Sequence, residues 1–182
     1  MSSVVISGDT SGAITLAVPA VAGTNTITLP ASTGTVLTTG SPQSGGVIQT
    51  VNFSYSSQTT TSSSSFVTTN LTTSITPRFS TSKILVTCAF PQFANSINSS
   101  ALYTLYRGGT NLGTGTYSCL LQNYCTSTTS NYLNASIVYL DNPATTSSTT
   151  YTVYMASLNG SSTIGVFQNG VLGTITLQEI AA

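Results

Sequence analysis

Apolar and polar residues alternate with period two along most of the chain, and no long apolar pattern of period 3.6 interrupts them. That spacing puts successive side chains on opposite faces of an extended backbone and predicts half-buried β-strands almost throughout. Near the start, Ile14, Leu16 and Val18 share one face with Thr15 and Ala17 between them. The pair Ile27 and Leu29 repeats the pattern after "PAVAGTN", and Val36 to Thr39 forms a third short piece. Pro and Gly cut these strands, and "TTGSPQSGG" reads as a linker.

Beyond the linker the strands lengthen. "VIQTVNFSY" places Val47, Val51, Phe53 and Tyr55 on one face with Gln49. Further strands are expected in "SFVTTNLTTSITP", "SKILVTCAFPQF", "ALYTLYRGGTNLG", "NYLNASIVYLDNP", "TTYTVYMAS", "STIGVFQNG" and "GTITLQEI". Their spacing suits a sandwich or jelly roll of roughly eight to ten strands. Gly108 and Gly109 in "YRGGTNL" allow the positive φ of a two-residue hairpin. Asp141 and Asn142 before Pro143 read as a turn. The tract "SSQTTTSSSS" has no apolar anchor and is expected as a surface loop. The chain thus divides into residues 1–45, a short shaft with its linker, and residues 46–182, a β head.

Composition sharpens this picture. Charged residues are 3% of the chain against about 25% in an average soluble domain, while 40% of residues are hydrophobic, so the chain reads as folded rather than disordered. Ser and Thr together make up about a third of it and must carry its solubility. Arg78, Lys83 and Arg107 balance Asp9, Asp141 and Glu179, which leaves no basic face for nucleic acid or acidic lipid. No apolar run is long enough to insert in a membrane, and the start shows no secretory signal, so assembly in a cytoplasm is expected. Residues 1–45 are too few to bury a core of their own, and strand edges without charge invite pairing. Partner chains are therefore expected to close them.

Little chemistry is visible. Without histidine there is neither a Ser/His nor a Cys/His pair. Lys83, the remaining candidate base for a Ser/Lys dyad, falls at an exposed strand end. Asp9, Asp141 and Glu179 are the only carboxylates a glycosidase could use, and turn or surface roles fit them better. No catalytic, cofactor or metal site is predicted, since three cysteines alone make a poor zinc site. Cys119 and Cys125 could approach across a tight hairpin, although an intracellular origin argues for reduced thiols. The glycosylation pattern at Asn52, Asn70, Asn98, Asn134 and Asn159 is no more frequent than chance allows in a chain so rich in Ser and Thr. Tyr103, Tyr106, Tyr117, Tyr124, Tyr132, Tyr139, Tyr151 and Tyr154 could stack on sugars, with Asn and Gln supplying neutral hydrogen bonds.

The stretch "GDTSGAITLAVPAVAGTNTITLPASTGTVLTTG" resembles one that recurs near the start of tail-fibre and other virion proteins of tailed phages, particularly those of cyanobacteria and marine bacteria. "ITPRFSTSKILVTC", "LYRGGTNLG" and "TITLQEI" look like parts of the small β heads that follow such stretches. The resemblance implies an all-β protein with a jelly-roll-like head, an N-terminal segment that joins other virion proteins, and an intertwined homotrimer. It implies a non-enzymatic fibre or spike that adheres to host-surface glycan. The alternative is a capsid decoration protein that stabilises the particle without binding a receptor.

Overall fold

In a computed structural model the residues described are 3–7, 11–17, the single positions 21, 23, 24, 26, 38 and 40, and 42–182 apart from 96 and 127–129. Asp9, Val18, Ile27, Leu29 and the Val36–Thr39 piece apart from Thr38 lie outside them. The chain forms two compact units, residues 1–36 and residues 37–182.

The first unit contains β1 (Ser3–Ser7) and β2 (Ala13–Ala17), which pair antiparallel with Ile6 opposite Ile14. The alternation in "AITLA" predicted the second strand; the first was not foreseen. Val5, Ile6 and Ile14 are all exposed, and a lone two-stranded hairpin is marginal in water.

The second unit runs β3 (Val47–Tyr55), β4 (Thr59–Thr61), β5 (Val67–Ile75), β6 (Lys83–Ala94), β7 (Ser99–Arg107), β8 (Thr110–Asn111), β9 (Leu121–Cys125), β10 (Asn131–Asp141), β11 (Thr149–Ser157), β12 (Ile164–Val166) and β13 (Gly173–Ile180). One sheet carries β3, β13, β6 and β10 side by side, with β12 and β4 continuing it at one end. The other carries β5, β11 and β7, with β8 and β9 sharing the far edge of β7. With the short β4, β8 and β12 set aside, the remaining strands stand in the orders first, eighth, third, sixth and second, seventh, fourth, fifth. This is the double Greek key of a jelly roll.

Alternation explains the core. Along β13, Gly173, Ile175, Leu177 and Glu179 face inward, and along β6 Ile84, Val86, Cys88 and Phe90 do the same. They meet Leu71, Tyr103, Leu105, Tyr151, Val153 and Met155 of the opposite sheet. On β5 and β11 the outward positions are largely hydroxylic and pair across strands: Thr72 with Thr152 and Ser74 with Thr150, each at 2.7 Å. Such pairs let Ser and Thr take the place of surface charge.

Several expectations need correction. "SSQTTTSSSS" is not a loop throughout, because Thr59–Thr61 pairs with β12. Leu121–Cys125 is an extended strand on β7, which keeps Cys119 and Cys125 from meeting across a hairpin. Val47 and Phe53 stay exposed because β3 is an edge strand, whereas Val51 and Tyr55 pack on the core. The glycine hairpin forms as expected between Arg107 and Thr110, but only Gly108 has positive φ, at 56°. Gly45 and Gly46, in the stretch read as linker, exchange backbone hydrogen bonds with Ala181.

Candidate ligand-binding groove

The two described carboxylates occupy one row of the first sheet. Asp141 on β10 and Glu179 on β13 both stand opposite Ile84 of β6, on either side of it, so their backbones are about 10 Å apart, two strand spacings. Both are buried, at 6% and 0% exposure, and the fully buried Ile84 stands between them.

Each carboxylate is already engaged. Arg107 Nη1 donates to both Asp141 oxygens at 2.9 Å, and the Tyr151 hydroxyl donates to Oδ2 at 2.6 Å. Burial, then the bond to Asp141, pushes the Tyr151 hydroxyl well above its ordinary range. Glu179 accepts from Gln49 Nε2 at 2.6 Å and from the backbone N–H groups of Arg78 at 2.7 Å and Phe79 at 3.3 Å. Burial alone would raise its pKa, but these donors outweigh it and hold the carboxyl below its usual value. Asp141 and Glu179 are thus buried fasteners, not the turn and surface residues their neighbours suggested. Asp141 closes β10 against the end of β7, and Glu179 holds the β5–β6 connection. Lys83 is exposed at the first position of β6, as expected.

The tyrosines scatter. Tyr103 and Tyr151 are core residues, and Tyr106 stacks on Tyr154 at 4.0 Å. Tyr139 packs against the core. Tyr117 and Tyr124 are exposed on the second sheet and its adjoining loop. Tyr132 borders a groove.

The groove arises from Pro91. β13 pairs with β6 along Lys83–Ala89 and β12 along Gln92–Ala94, which leaves Phe90 and Pro91 between them. A strand residue points its N–H and C=O to the same side, and Pro91 has no N–H, so a continuous neighbour would face a missing donor. Instead its carbonyl accepts from the Phe167 N–H at 3.1 Å, and the chain swings out over residues 167–172 before β13 begins. Phe167 and Asn169 take left-handed φ of 58° and 56° within this excursion. For a residue as bulky as Phe that conformation costs about 1–2 kcal/mol, so the surroundings must impose it. The buried Phe167 ring, edge-on to Tyr55 at 5.5 Å, anchors it.

A hollow of about 310 Å³ lies between this excursion and β10. Pro91 and Gln92 border it, with Tyr132 and Asn134 from β10 and Gln168, Asn169 and Val171 from the excursion. It adjoins a second hollow of about 250 Å³ that shares Pro91, Asn134 and Val171 and reaches Leu172 and Thr174. Gln168 Nε2 donates to the Tyr132 hydroxyl at 3.1 Å, and the Tyr132 ring lies 5.8 Å from Phe93. Gln168 Oε1 is buried without a hydrogen-bond partner. An unpaired buried acceptor costs about 1–3 kcal/mol, and exchanging the amide's O and N leaves a donor stranded instead. The arrangement offers neutral amides, a phenol and an apolar wall. The sequence singled out Tyr132 but not Gln168 or Asn169; the available signals were Pro91 inside a strand and the turn-forming "QNG" after one.

No family model matches the chain, and no curated protein matches it. Among solved structures it is similar to those of infectious bursal disease virus, Gt strain, with TM-score 0.40 and 13% identity over 97% of this chain and 46% of that one. The Gx strain gives TM-score 0.39 and 14% identity over 94% and 43%. The chain spans less than half the length of either.

Proposed function

We propose that this chain is a non-enzymatic structural component of a virus particle, a homotrimeric fibre or spike of a tailed phage. Residues 1–45 join it to other virion proteins, and the jelly-roll head adheres to host-surface glycan. The jelly roll suits both capsid and carbohydrate-binding roles without deciding between them. The phage attribution rests on the resemblance of residues 8–40 to fibre stretches.

The observation that carries the trimer is β10. Among the described residues this eleven-residue strand pairs with β6 alone, and its sole charge is the buried Asp141 at its end. On its outer face Val138 is 66% exposed and Leu140 53%, beside the half-buried Leu85 and Thr87. A long edge with so little charge templates pairing unless something covers it, and identical chains around an axis would. The exposed Ile6 and Ile14 of the β1–β2 hairpin make the same demand. Three weak sites on one trimer would also adhere far more tightly than one.

Sedimentation of the full chain should give three times 18.7 kDa. A compact monomer at micromolar concentration would remove the trimer from the proposal. Imaging of the particle separates the two structural readings: a tail appendage contributes about three to thirty-six copies by symmetry, whereas a decoration protein coats the capsid in scores to hundreds.

A further inference from the structure

We infer that the groove between β10 and residues 167–172 binds a neutral sugar unit of a surface glycan. The inference rests on the adhesive reading of the head and gives it a place. Every charged residue among those described gathers at one end of the jelly roll: Arg78 and Lys83 flank the start of β6, Arg107 ends β7, Asp141 ends β10, and Glu179 lies opposite Ile84. Pro91 lies seven residues further along β6, about 23 Å away, so an ionic ligand would meet no counter-charge in the groove. The chain also enters the head at the charged end, where Gly45 and Gly46 bond to Ala181. The groove sits toward the other end.

The lining matches a polyol. The amides of Asn134 and Asn169 each carry donors and an acceptor, the combination that hydroxyl groups require, and Gln168 adds a third amide at the wall. Tyr132, 56% exposed, offers a ring face at the rim, and Val171 and Leu172 offer apolar surface for the C–H face of a sugar. Gln168 Oε1, buried and unpaired, gains a partner if its side chain turns toward a ligand hydroxyl. The left-handed Phe167 and Asn169 fix the wall that carries it. A strained segment beside an unsatisfied amide is a costly arrangement for mere packing.

The test applies full-length protein to an immobilised array of neutral oligosaccharides built from hexose, deoxyhexose and N-acetylhexosamine, alongside sialylated and sulfated ones. Wild type should bind neutral members. Tyr132→Ala and Gln168→Leu should each weaken that binding at least tenfold, while Tyr124→Ala, an exposed tyrosine on the other sheet, should leave it unchanged. Gln168→Leu also removes the stranded acceptor, so its melting temperature should equal or exceed that of wild type while binding falls. Neutral-glycan binding that survives both groove substitutions within twofold overturns the groove but leaves adhesion standing. Binding confined to charged members overturns the groove as well. No binding to any member by wild type sinks the adhesive reading and the groove with it.

Discussion

Replacing Glu179 by Gln tests whether a single buried carboxylate holds the β5–β6 connection. The substitution keeps the shape and removes the charge. The new amide can still accept the Arg78 and Phe79 N–H bonds through one oxygen, but its nitrogen meets Gln49 Nε2, another donor. Gln49 cannot simply exchange its amide ends, because the same nitrogen donates to the Thr76 carbonyl at 2.7 Å. One charge-assisted bond is lost and two are weakened, at about 1.5–3 kcal/mol for each bond to a charged group, partly recovered by the neutral replacement. The net cost should be about 2–4 kcal/mol. For a chain of this size that lowers the melting temperature by roughly 5 to 15 °C. Circular dichroism melts at matched protomer concentration measure it, with urea titration as the check on slope. Because the folded-state pKa of Glu179 is depressed, its contribution is complete above about pH 4.5 and fades as pH falls toward the folded value. The gap between wild type and variant should therefore be widest near neutrality and narrow in acid. A variant melting within 2 °C of wild type at pH 7 would refute the reasoning.

Three further outcomes follow from the same packing. Val138→Lys places a charge on the open face of β10 and should convert the proposed trimer to folded monomers by sedimentation, whereas raising salt from about 0.05 to 1 M should not dissociate wild type. A Cβ at Gly165 would press on the Phe93 ring and come within 2.9 Å of the Thr59 carbonyl oxygen, so Gly165→Ala should lose about 1–3 kcal/mol in urea unfolding. Burial pushes the Cys88 thiol up to about 12 and Cys125 is fully buried, so a thiol reagent at pH 8 should modify only the half-buried Cys119 in the native protein and all three cysteines in urea.

The period-two pattern by itself determined that this is a β protein, and it placed two of its strands to the residue. Val47–Tyr55 and Gly173–Ile180 coincide with "VIQTVNFSY" and "GTITLQEI", because alternation is a local consequence of the pleat. The glycine hairpin was legible for an equally local reason, since positive φ at Gly108 excludes most other residues. Short pairings were not. Thr59–Thr61 has no apolar residue to mark it and is a strand because β12 lies beside it. Asp141 looked like a turn residue beside Asn142 and Pro143, and its burial depends on Arg107 and Tyr151, thirty-four and ten residues away.

The groove shows the same division. Pro91 was visible in "FPQF", but a proline within a strand says only that one donor is missing. Which neighbour would have needed that donor, and that residues 167–172 leave the sheet at that point to face Tyr132 and Asn134, depends on pairings among segments far apart in the chain. A sequence fixes what each residue can offer to a neighbour. Only the folded sheet order decides who that neighbour is, because hydrogen bonds and burial are shared between strands and belong to no single one.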